Sequence, residues 1–183
     1  STMKRILPAL IAIAAAVFVI AHFLWIAEMP ERVASHFDAA GKPNGWMTRS
    51  GHGTFMLLFG LGEPAFVLTL VWAMRYLPAN LLNVPKRDYW RSPENYPKAC
   101  AIMLAWAQSL AVAMLVWNTF FNWQIVKANL ASPPHLANAD VGLLTGVFLV
   151  TVMGLIAWLV WRFTKTDDAM PAPMSDQPKD MGA

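Results

Sequence analysis

Residues 6–27 read ILPALIAIAAAVFVIAHFLWIA, twenty-two positions without an Asp, Glu, Lys or Arg and with a single histidine, His22. A hydrocarbon core about 30 Å thick takes a helix of about 20 apolar residues, and this run reaches that length. Working outward, residues 55–74, 100–126 and 141–163 form three further apolar runs of comparable length. Four such runs predict an all-α membrane protein: an antiparallel four-transmembrane-helix bundle with an ordered outer loop between the first two spans. The expected organisation is one membrane domain over 1–165 followed by a disordered cytoplasmic tail, 166–183, whose polar and proline-bearing composition suits an unstructured end.

Composition agrees, since 57% of the 183 residues are hydrophobic and 14% charged, whereas an ordinary soluble domain carries about 25% charged residues. The basic pI of 9.2 does not point to nucleic acid, because the cations are sorted by side of the membrane rather than gathered along one phosphate-tracking surface. With the N-terminus in the cytoplasm, ten of the 14 Lys and Arg fall inside, and Arg32, Lys42, Arg49 and Lys127 fall outside. Both termini are therefore expected inside. Trp25 and Trp123 then sit at the outer interface and Trp72, Tyr76, Trp158 and Trp161 at the inner one, where amphipathic rings prefer to lie. The first run is expected to stay as an anchor, being long for a signal peptide. Cys100 is the single cysteine, so no intrachain disulfide can form.

Polar residues inside the runs are the candidates for function. In LFGLGEPAF, residues 58–66, Pro64 lacks an amide proton and crowds the carbonyl of Gly60, which predicts a kink or local unwinding. Glu63 then lies about 12 Å below the outer end of its span at ~1.5 Å per residue, where a carboxylate must find a partner or hold its proton. Asn118 falls at a similar depth, with Asn122 one turn shallower and His22 close by. These residues serve either as interhelical glue or as the lining of an outward-facing pocket, the kind used by ion and substrate pathways. Gly142, Gly146 and Gly154 suggest a helix-packing face on the last span.

The outer loop, MPERVASHFDAAGKPNGWMTRSGHG at 29–53, places Met29, Val33 and Phe37 four apart after Pro30, which predicts a short amphipathic helix. Gly41, Pro43, Asn44 and Gly45 then reverse the chain and return Trp46 toward the membrane. Ser50 or Thr54 is expected to cap the second span. His36, Asp38 and His52 are ligand types that zinc or copper accepts, at a spacing that matches no strong metal signature. No cofactor is expected, and no serine, cysteine or paired-carboxylate arrangement indicates hydrolytic catalysis.

The segment from Pro30 to Trp46 resembles the signature of bacterial membrane proteins with the domain of unknown function 1648, which include the SdpI-type immunity proteins. A second segment, NVPKRDYWRSPE at 83–94, resembles a cytoplasmic loop of that family at Asn83, Pro85, Asp88, Tyr89, Trp90, Pro93 and Glu94. The resemblance implies a multi-pass protein of the bacterial inner membrane and, for SdpI-type members, immunity to a secreted toxin and sequestration of a cytoplasmic repressor. Those members carry spans beyond the four expected here, which sets the immunity role itself apart from what the resemblance implies for this sequence.

The first reading is thus a non-enzymatic binding or accessory protein that engages an extracytoplasmic peptide or small ligand through its outer loop. Its candidate residues are His22, His36, Asp38, Trp46, His52, Glu63, Asn118 and Asn122, with a cytoplasmic protein partner at the Tyr-Trp loop. The alternatives are a proton-coupled carrier using Glu63 and a metal-dependent membrane enzyme using His36, Asp38 and His52.

Overall fold

A computed structural model describes residues 3–166; the expected tail beyond 166, with Lys179, lies outside the described residues. Among the described residues four helices are long and apolar enough to cross a membrane. They are α1 (Met3–Glu28), α2 (Arg49–Ala73), α4 (Tyr96–Leu130) and α5 (Asn138–Thr164), and a single-turn α3 (Arg87–Trp90) lies between α2 and α4. Each helix overruns the apolar core of its span because polar residues continue it into the interface. The overrun is greatest for α4, which is 35 residues long.

The outer loop is ordered, but it is not helical. It folds as a β-hairpin of β1 (Arg32–Phe37) and β2 (Pro43–Thr48), antiparallel with Ala34 opposite Trp46 and Phe37 opposite Pro43. The expected amphipathic helix fails because a spacing of four fits both a helical and a strand period, and the tight reversal at 38–42 supplies β1 with a partner. Asp38 holds that reversal, its Oδ1 accepting from the amides of Ala40 (2.8 Å) and Lys42 (2.9 Å). Gly41 adopts φ +75°, a conformation that side-chain-bearing residues rarely take. Thr48, not Ser50 or Thr54, caps α2 by accepting from the Gly51 amide at 3.1 Å. Arg49 secures the hairpin base by pairing with Glu31 and donating to the Met29 carbonyl at 3.0 Å.

The helices do not simply neighbour one another in chain order. α4 is the hub, packing along α1, α2 and α5, while α1 and α2 touch each other much less. Its buried face runs Ala107, Ala111, Leu115, Asn118, Asn122, Ile125 and Asn129, the i, i+3, i+4 stripe of a packed helix. Alanines in the first half let the neighbours come close; asparagines in the second half meet polar partners. α5 lies against α4, with Phe148 stacked on Trp117 at 5.3 Å. Gly142, Gly146 and Gly154 face open space and so make no helix contact within this chain, contrary to expectation.

Two apolar clusters close the ends. At the hairpin end, Met29 and Val33 pack with Ile125, Val126, Ala128 and Leu136. At the other end, Leu82, Trp90, Ala99 and Phe163 form the core. Trp90 is 2% exposed, and its Nε1 donates to the Phe163 carbonyl at 2.9 Å. The Tyr89-Trp90 segment thereby ties the α2–α4 connection to the last turn of α5. Asn83, Pro85, Asp88, Pro93 and Glu94 are exposed around it.

Candidate functional site

A series of polar contacts runs down one face of α4. At its lower step, Asn118 Nδ2 donates to Glu63 Oε1 at 2.6 Å and to the Gly60 carbonyl at 3.2 Å. The second bond answers a specific deficit, because the amide that would reach Gly60 in a regular helix belongs to Pro64. α2 remains one continuous helix through Pro64, without the expected unwinding. An amide from α4 takes over from the missing donor. The same turn must lack a side chain at Gly60, since a Cβ there would run into the ring of Phe18, itself 1% exposed.

One turn higher, Asn122 Nδ2 lies 3.3 Å from Nδ1 of His22, which is 2% exposed and stacks on Phe18. Gly53 keeps α2 close to that imidazole: a Cβ there would lie 3.7 Å from His22 Nε2. His52 is buried beside this step. Its Nε2 and the Oδ1 of Asn118 are buried without a hydrogen-bond partner among the described residues.

The top step was not singled out from sequence. Asn129 accepts from the Ala34 amide at 2.7 Å and donates to the Ala34 carbonyl at 3.0 Å, pairing with β1 as a neighbouring strand would. Two further contacts dock the hairpin tip: Leu136 N to Gly41 O at 2.9 Å and Asn138 Nδ2 to Ala39 O at 2.7 Å. An asparagine on the buried stripe, beyond the last apolar residue of its span, is the signal that marks Asn129.

The candidate residues therefore fall into two groups. His22, His52, Glu63, Asn118 and Asn122 gather in the bundle, whereas His36 and Trp46 are exposed on the hairpin and Asp38 is engaged in its turn. His36 bonds Ser35 Oγ at 3.0 Å through Nδ1. Among the described residues no three His, Cys, Asp or Glu side chains cluster as a metal would require, and His36, Asp38 and His52 are not brought together. On the hairpin surface the Arg32 guanidinium lies over Trp46, 5.0 Å from the ring centroid, beside a shallow groove bordered by Glu31, Met47 and Thr48.

The family model for the domain of unknown function 1648 (DUF1648) matches residues 9–61. Residues 9–61 of the chain are thus similar to the DUF1648 domain. No curated protein and no solved structure matches it. The match contains α1 from Ala9 onward, the hairpin and the first half of α2, so the Pro30–Trp46 motif lies inside it and the Asn83–Glu94 motif outside. The matched segment contributes His22, Ala34 and Gly60 to the polar contacts; Glu63 lies two residues beyond it, and α4, farther along the chain, contributes Asn118, Asn122 and Asn129.

Proposed function

We propose that this DUF1648 membrane protein is a non-enzymatic binding protein that receives an extended peptide segment on its hairpin, outside the cytoplasmic membrane of a bacterium, with both termini inside. The observation that carries the reading is the edge of β2. Ala34 turns both its amide and its carbonyl to Asn129, away from β2. By the alternation of an antiparallel ladder, the opposite residue Trp46 turns its own amide and carbonyl away from β1. Among the described residues the sheet has two strands, so that edge carries free backbone groups beside an exposed Trp–Arg pair. Strand addition at such an edge draws affinity from main-chain hydrogen bonds and selectivity from adjacent side chains. The docked hairpin supplies a rigid platform at little ordering cost.

A photo-cross-linking residue at exposed Asn44 tests this in intact membranes. Protein adducts that disappear in Trp46→Ala, with its thermal unfolding unchanged, are expected; adducts to lipid alone would make Trp46–Arg32 an interfacial anchor and remove the reading.

A second reading rests on Glu63, a carboxylate within a membrane span and bonded to Asn118, with unpartnered buried atoms on Asn118 and His52 nearby. Such a constellation suits an ion or proton path. Proton flux in reconstituted vesicles should then be lost in Glu63→Gln; flux equal to wild type would eliminate it.

A further inference from the structure

At the end opposite the hairpin, a cavity of about 770 Å³ opens between α1 and α5 and is floored by α4. Its volume falls within the roughly 300–1,000 Å³ of ordinary ligand sites. Leu7, Ala101, Leu104, Ala105 and Trp158 make its walls largely apolar. It extends along α4 from Tyr96 to Gln108, about 18 Å at ~1.5 Å per residue, close to the ~15 Å depth of one leaflet of a ~30 Å core.

Two arginines from different helices border it, Arg75 just after α2 and Arg162 in the last turn of α5. Neither has a carboxylate partner among the described residues, whose ion pairs join Glu31, Asp88 and Asp140 to other cations. Both guanidinium groups rest on aromatic faces, Arg75 over Trp72 at 4.8 Å and Arg162 over Trp90 at 5.7 Å. Arg75 Nε is further fixed by donating to the Trp72 carbonyl at 3.0 Å. Their remaining N–H groups are therefore held in place without a protein anion to receive them. A guanidinium fork matches a phosphate in charge and in shape.

We infer that this cavity is a binding site for an anionic phospholipid, with one acyl chain lying along α4 between α1 and α5 and the phosphate received by Arg75 and Arg162. Tyr96 hydroxyl bonds to the Met74 and Leu77 carbonyls (2.7 and 2.9 Å) hold the end of α2, and with it Arg75, against the start of α4. The inference is independent of the hairpin reading, which concerns the other end of the molecule.

Cys100 lines the cavity and is the only cysteine of the chain, so it reports occupancy directly. Maleimide labelling of Cys100 is measured in vesicles of phosphatidylcholine alone or mixed with phosphatidylglycerol, and lipids retained by the protein are counted by native mass spectrometry. The expected result is protection of Cys100 by phosphatidylglycerol and a preference over phosphatidylcholine of about 30-fold, equivalent to roughly 2 kcal/mol for two basic contacts. The preference should vanish in the Arg75→Gln, Arg162→Gln double variant and survive in the corresponding Lys variant. Ala105→Trp should exclude both lipids. Equal labelling in the two wild-type membranes, or protection by soluble glycerol phosphate without a chain, overturns the inference even where a variant fails to fold.

Discussion

Asn118→Leu tests whether α4 repairs the proline gap of α2. The substitution roughly conserves volume at a site 1% exposed, so it removes chemistry rather than packing. Two donated hydrogen bonds are lost, one to Glu63 and one to the Gly60 carbonyl. Interhelical hydrogen bonds in membranes average about 0.6 kcal/mol and reach about 1.7 kcal/mol, which puts the loss at roughly 1–3 kcal/mol. Removing the unpartnered Oδ1 of Asn118 offsets part of it.

A double-mutant cycle isolates the bond of interest. Pro64→Ala gives α2 back the amide that can reach the Gly60 carbonyl, so in that background Asn118→Leu no longer orphans it. The Oδ1 offset and the loss of the Glu63 contact occur in both backgrounds and cancel. The pair should therefore be less damaging than the sum of the singles by about 0.6–1.7 kcal/mol. Reversible unfolding in mixed micelles, read by tryptophan fluorescence, measures it. Additivity within about 0.3 kcal/mol would refute the repair.

Gly41→Ala should loosen the hairpin tip, because φ +75° disfavours any side chain and a Cβ there would run into the Leu136 carbonyl; a loss of at least 1–2 kcal/mol is expected, visible as faster amide exchange at Leu136. Asn129→Ala strips partners from both backbone groups of Ala34 and should cost about 2–6 kcal/mol, at roughly 1–3 kcal/mol for each buried group left unpaired. The sharpest exchange increase should fall at Ala34, with α5 little changed; uniform loosening of all helices would contradict its local role.

The four spans were legible because lipid imposes a length and a composition on any helix that crosses it. The polar positions Glu63, Asn118 and Asn122 were legible by depth, since an axial rise of ~1.5 Å per residue converts sequence number into height. Which side of each helix they occupy was not, because rotation about a helix axis is decided by packing among partners far apart in sequence. The hairpin was misread for a related reason. Met29, Val33 and Phe37 share a side in either conformation, and only β2 and Asn129 discriminate between them. The hub position of α4 was equally invisible, since chain order suggests sequential neighbours and nothing in one helix announces that it will touch three others.

The match to residues 9–61 and the contacts of α4 bear on how this segment reaches its folded state. Its hairpin edge, its His22 and the Gly60 carbonyl, whose donor is removed by Pro64 just beyond the match, are all completed by side chains that follow at least 57 residues after the match ends, Asn118 being the earliest. During synthesis those groups must wait, sheltered by water, lipid or insertion machinery, until α4 enters beside them. The recognisable unit of sequence is therefore not a unit of self-sufficient structure, and transplanting it alone into another membrane protein would leave Ala34 and His22 without their partners.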